Sequence, residues 1–271
     1  MQTLIYKYIL FFIILFIILF IILYTINNHI SIKQIEQFDD NFIFLNNYEL
    51  LNILLNNHDK YYDTFFENDF YARNINNIDE YKDLIKKSVI DFNDNQKNKI
   101  KKCIYNADLY FSTLKLRWFD GNKNNKLKWI IGCVNGKLYE NGLPHTRDNI
   151  IIISDEKVNN YNEEKLTKTL IHEKVHIYQK KYINDIEIYL NENNFIKIRE
   201  REKSDNIRAN PDLDNWIYKD DKQNIYKAVY NNNPSSVEDI KYTPINNQSY
   251  EHPYEKMAIY IENKFINFLK S

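Results

Sequence analysis

The sequence predicts an α+β domain behind an N-terminal transmembrane helix, and three observations carry that expectation. All four glycines fall between Gly121 and Gly142 and all five prolines at or after Pro144, so the first 120 residues hold no strong helix breaker. Short apolar runs follow, divided by those glycines and by the Gly142-Leu-Pro144 turn, as strands of a small sheet would be. Residues 8–26, YILFFIILFIILFIILYTI, are nineteen without a charge, and at about 1.5 Å per residue they span the roughly 30 Å hydrocarbon layer.

The elements follow in chain order. A tail, 1–7, precedes the apolar run. A cleaved signal peptide would carry an apolar region of about 7–15 residues and then small residues, whereas this run is longer and leads into Tyr24, Thr25, Ile26, Asn27 and Asn28. An uncleaved lipid-bilayer anchor over 8–26 is expected, making the chain a single-pass membrane protein. Lys7 on one side and Lys33 on the other leave its orientation open. Residues 27–90 read as a helical region. Tyr48–Leu55 and Tyr81–Ile90 place apolar residues at threes and fours, with Asp79 and Glu80 where acids suit a helix start. A further helix is expected from Gln96 to Leu114, then strands over Lys126–Ile131, Lys137–Tyr139 and Asn149–Ile153. Residues 91–271 are taken as the functional domain.

Composition removes several classes of function. Lys+Arg 36 against Asp+Glu 37 gives a formal net charge of -1, which is no footprint for nucleic acid. At 44% hydrophobic and 15% aromatic the chain folds around a core. Cys103 and Cys133 are too few for a disulfide scaffold and too far apart for a CxxC clip. The abundance of Asn reads as a coding bias more than as structure.

From Asn160 the chain runs NYNEEKLTKTLIHEKVHIYQKKY. Asn160 with Glu163 resembles a capping box, and no breaker follows until well past Tyr182. Ile171, Val175, Tyr178 and Tyr182 form one apolar stripe and Leu166, Leu170 and Ile177 another, so this helix is expected to be largely buried. Within it, His172 and His176 lie one turn apart on one side, and Glu173 projects about 100° round from His172. Two neutral imidazoles at that spacing fix one Zn²⁺, and the carboxylate beside them takes the proton of the metal-bound water. Glu173 is then the candidate general base.

These residues, HExxH with Thr169 and Leu170 before it and Ile177 and Tyr178 after it, resemble the zincin superfamily of metallopeptidases. The resemblance implies a zincin-like fold, one zinc ion and a peptide or protein substrate. One position departs: Lys174 stands where the superfamily prefers an uncharged residue. A metzincin-like third ligand would need Gly at Gln179 and His at Tyr182, so the resemblance is to the gluzincin arrangement, in which a later helix supplies a Glu. The C-terminal EHPYEKMAIYIENKFINFLK offers that helix, with Pro253 in its first turn and Glu251, Glu255, Ala258 and Glu262 on one face. Glu255 is the choice, because Ala258 one turn on lets two helices approach; Glu251, and more remotely His252 and Glu262, remain alternatives.

Two secondary features bear on substrate. Gly142–Asp148 leads into the Asn149–Ile153 strand, and in zincins an edge strand there pairs with an extended peptide; His145 on that loop is a candidate for stabilising an oxyanion. Arg208–Asp212, Asn215–Tyr218 and Tyr226–Tyr230 read as a turn and hairpin of ordinary scaffold. The whole pattern is similar to uncharacterised zincin-like membrane proteins of large DNA viruses, which would place the chain in a host or virion membrane. The expectation is a membrane-anchored zinc metallopeptidase; the alternative is a catalytically silent zincin-fold protein acting in binding or virion assembly.

Overall fold

The computed structural model describes residues 41–244 and 250–270. The expected anchor at 8–26 lies outside them, and no helix among the described residues is long and apolar enough to cross a membrane. Ile43–Ser271 form one compact unit of mixed α+β structure.

The chain enters through β1 (Phe42–Phe44), α1 (Asn47–Asn56), α2 (Glu67–Tyr71) and α3 (Ile78–Ser88), then β2 (Val89–Ile90) and the long α4 (Asp94–Ser112). Next come the ribbon β3 (Lys115–Leu116) and β4 (Phe119–Asp120), α5 (Gly121–Asn125), and the strands β5 (Trp129–Val134), β6 (His145–Arg147) and β7 (Ile150–Ser154). The helices α6 (Asp155–Asn160), α7 (Glu163–Lys181) and α8 (Ile183–Glu192) follow. The last elements are β8 (Ile196–Glu200), β9 (Trp216–Lys219), β10 (Ile225–Tyr230), β11 (Ile240–Thr243) and α9 (Pro253–Phe268).

In the main sheet β5 runs parallel to β7, β2 is antiparallel to β5, and β6, antiparallel to β7, forms one edge. Trp129, Ile131 and Ile150–Ile153 are buried, as expected of strands covered on both faces. Gly132 lets α1 close onto β5: a Cβ there would meet Leu50 Cδ1 at 2.6 Å. The second sheet is an antiparallel meander, β11-β10-β9-β8, containing the expected hairpin of β9 and β10. The HExxH helix α7 is packed on α4, α9 and the β6–β7 edge.

Several local expectations need correction. Lys137–Tyr139 is a turn, because Gly136 at φ 50° and Asn141 at φ 54° bend the backbone out of extension. Asn160 ends α6 and does not cap the metal helix; Asn162 does, its side chain accepting from Lys165 N. That helix stops at Lys181, where Tyr182 leaves helical geometry, and α8 begins at once. His145 is on a strand, β6, and not on a loop.

The asparagines also have structural work that composition did not suggest. Asn46, Asn77, Asn93 and Asn162 cap helices α1, α3, α4 and α7 with their side chains. Asn57, Asn74, Asn141, Asn194, Asn206 and Asn233 take positive φ, the conformation that glycine usually supplies. In a chain with four glycines, asparagine is the next residue able to do so at low cost.

Candidate metal centre

Helix α7 presents His172 and His176 on one side, and α9 crosses it with Glu255 facing them. The crossing is close because the buried side of α9 is Met257, Ala258, Ile261 and Phe265, with the small Ala258 fully buried. The start of α9 is fixed by His252, whose side chain caps Tyr254 N at 3.1 Å while its Nε2 lies 3.0 Å from Asp214 Oδ1; Pro253 occupies the first turn.

Three donor groups meet between the helices. His172 Nε2 and His176 Nε2 are 3.0 Å apart, Glu255 Oε2 is 3.2 Å from His172 Nε2, and Glu255 Oε1 is 3.7 Å from His176 Nε2. Ligands bonded to one tetrahedral zinc at about 2.0–2.1 Å would stand about 3.3 Å from one another, so the spacing fits the ion. The outer nitrogens fix the tautomers. His172 Nδ1 is 2.8 Å from Glu262 Oε2 and His176 Nδ1 is 2.8 Å from Gln179 Oε1, so each Nδ1–H is committed outward. Both Nε2 lone pairs then face the Glu255 carboxylate, which is favourable around a cation and repulsive without one.

Without a cation, a proton at His172 Nε2 relieves that repulsion by binding Glu255. Burial alone would lower His172, but its hydrogen bonds to Glu255 and Glu262 raise its pKa well above the ordinary value. Burial pushes His176 down despite Asp212 and Glu255. Glu255 would be raised by burial, yet the two imidazoles and the Arg208 guanidinium hold it below the usual carboxylate range. Among the described residues, His172, His176 and Glu255 are the group able to hold a metal ion.

The alternative third ligands are otherwise engaged. Glu251 pairs with Arg208 and accepts from Asn210 Nδ2 at 2.9 Å. His252 serves as the cap, and Glu262 holds the back of His172.

Glu173 lies beside this centre, 4% exposed, with no hydrogen-bond partner for its Oε2. Burial raises its pKa well above the ordinary carboxylate value, and Asp212 adds to the rise. It lines a cleft of about 360 Å³ together with His145, His172, Arg208, Asp212 and Glu255. His145 is 3% exposed; its Nδ1 is 2.8 Å from Leu143 O and its Nε2 has no partner. Burial lowers its pKa, which favours the neutral ring, and with Nδ1–H spent on Leu143 its Nε2 is an acceptor that is itself buried.

Lys174 explains its own departure from the zincin pattern. It is fully buried on the far side of α7, where Nζ donates to Leu127 O and to Lys128 O at 2.8 Å and stands 4.4 Å from the centre of the Trp129 ring. Burial pushes its pKa down to about 7. Its charge is therefore turned towards the α4–β5 side and away from the ligands.

Sequence reasoning missed two participants and misjudged a third. Asp212, in the segment taken as scaffold, reaches into the cleft wall: its Oδ1 accepts from Thr146 N and Thr146 Oγ1, each at 2.6 Å. Gln179, considered only as a failed metzincin glycine, fixes His176 and donates from Nε2 to Tyr254 O at 2.9 Å, tying α7 to α9. Its spacing, three residues after the second His on the same helix, was the available signal. The edge strand is the third. Thr146 N–H is taken by Asp212, and Thr146 O and Oγ1 accept from Lys180 Nζ at 3.2 and 2.6 Å. With those groups satisfied internally, β6 offers a peptide no free edge at Thr146.

Comparisons with protein-family models, with curated proteins and with solved structures find no match for the chain.

Proposed function

We propose that this chain is a zinc-dependent metallopeptidase of the zincin type, anchored in a membrane by residues 8–26. The observation that carries the reading is the convergence of His172 Nε2, His176 Nε2 and the Glu255 carboxylate beside a buried Glu173 whose Oε2 has no partner. Zinc held by those three residues would polarise the scissile carbonyl and acidify water. The remaining chemistry belongs to the side chains.

Glu173, its pKa raised by burial, takes a proton from the attacking water and returns it to the leaving amine. Glu262 and Gln179 hold the imidazoles by Nδ1 and keep each Nε2 aimed between the helices. His145, whose free ring nitrogen is a buried acceptor, does not suit a developing oxyanion. Asp212 holds the Arg208–Asp212 segment against β6 and keeps the cleft wall in place.

The discriminating experiment is Glu173→Gln in the full chain, with zinc measured by elemental analysis and cleavage by mass spectrometry of a peptide mixture. Retained zinc with lost cleavage is expected. A wild-type chain that holds zinc and cuts nothing would favour the rival, a binding or assembly protein on the same scaffold.

A further inference from the structure

A second hollow, of about 530 Å³, lies along α9 and has Tyr250 and Ile259 in common with the walls of the metal cleft. Its walls differ in chemistry from the cleft. Trp118 comes from the β3–β4 ribbon, Tyr189 from α8 and Tyr260 from α9, and their rings meet edge to face or tilted at 4.8 and 5.7 Å from Trp118. Tyr260 remains 44% exposed although it is aromatic. Two lysines line the hollow, Lys264 with its ammonium 4.7 Å from the Tyr260 ring centre and Lys256 with its own 4.9 Å from the ring centre of Phe195. Neither is paired with a carboxylate among the described residues.

Resting on the peptidase reading above, we propose that this hollow is a specificity subsite that takes an aromatic side chain of the peptide next to an acidic residue. Three things favour a peptide running towards α9. Thr146 on β6 already has its outward groups satisfied, so the usual edge is closed there. The hollow and the cleft share Ile259 as a wall, one turn along α9 from Glu255. The part-exposed rings of Trp118 and Tyr260 and the two lysines match an aromatic ring and a carboxylate, since ring pairs in offset or edge contact contribute beyond area burial, and a cationic rim selects acidic neighbours.

The test uses the full chain in detergent carrying Glu173→Gln, so that binding is read without turnover. Two fluorescein-labelled decapeptides are compared by anisotropy, one with Phe-Glu at its centre and one with Ser-Lys there. Binding of the Phe-Glu peptide about tenfold tighter is expected. Lys256→Glu with Lys264→Glu should abolish the preference for the acid, and Tyr260→Ser, a change at a half-exposed ring, should weaken the preference for Phe while zinc content holds. Equal binding of the two peptides, or a preference that survives both sets of changes, would overturn the subsite. Cleavage of a peptide mixture by the wild-type chain separates the two claims. Cutting without aromatic-acidic preference sinks the subsite alone; selective binding without any cutting leaves the subsite standing and sinks the peptidase reading.

Discussion

His176 and Gln179 are joined one helical turn apart, Nδ1 to Oε1 at 2.8 Å, and the same Gln179 donates to Tyr254 O at the start of the helix that carries Glu255. One amide therefore sets the tautomer of one ligand and the register of the element bearing another. Replacing it with Ala should leave the fold intact and weaken zinc binding about 10–100-fold, the usual effect of removing a group that orients a ligand. Competition with a chelating dye checks this. An unchanged affinity would mean that the helix crossing alone aims His176.

Glu255→Gln keeps the shape of the side chain but removes the charge that the two imidazoles face. Zinc is expected to fall well below one equivalent after dialysis, while Glu251→Gln, whose carboxylate pairs with Arg208, should retain it. Elemental analysis of the two variants side by side decides which carboxylate is the ligand. The reverse outcome would transfer the role to Glu251.

Behind the cleft, the Arg73 guanidinium binds Glu140 at 2.7 Å, and Tyr81 donates to the same carboxylate at 2.6 Å. Burial alone would raise the Glu140 pKa, but Arg73 holds it below the ordinary value. A carboxylate depressed on folding stabilises the native state above its unfolded pKa, about 4.3, and that contribution is lost as the pH falls through the lower folded value. Glu140→Gln should cost roughly 3–5 kcal/mol at pH 7 by leaving the buried Arg73 only its longer pair, to Asp69 at 3.5 Å, and less at pH 3. Urea midpoints at the two pH values test the sign. An equal loss at both would assign the cost to packing.

Lys174→Met addresses the position that departs from the zincin pattern. The new side chain leaves Leu127 O and Lys128 O without their donor, a loss of about 1–3 kcal/mol, yet it touches no ligand. Stability should fall while zinc stoichiometry stays at one. A drop in zinc content in folded protein would contradict the view that this residue faces away from the centre.

The centre was legible in the sequence because its geometry is local: His172, Glu173 and His176 need only helical spacing, and α7 supplies it. Glu255 was reachable because Pro253 and Ala258 mark a helix start and a close crossing. Asp212 and the covering of β6 were not, since both depend on a contact between residues 66 apart that no periodicity encodes. The caps show a subtler limit. Asn160 and Asn162 are both followed three residues on by a residue whose N–H an Asn can accept from, and only the packing of α6 against β7 decides which one starts α7. Asparagine itself misled, because an abundant residue was read as background although it fills the capping and positive-φ positions of a glycine-poor chain.

X-ray absorption at the zinc edge, on the full chain in detergent with one equivalent of zinc, tests the metal centre most directly. A first shell of two imidazoles and one carboxylate at about 2.0–2.2 Å is expected, with the imidazole signal diminished in His176→Ala. Zinc that fails to bind, or a shell that is unchanged in His176→Ala, would contradict it.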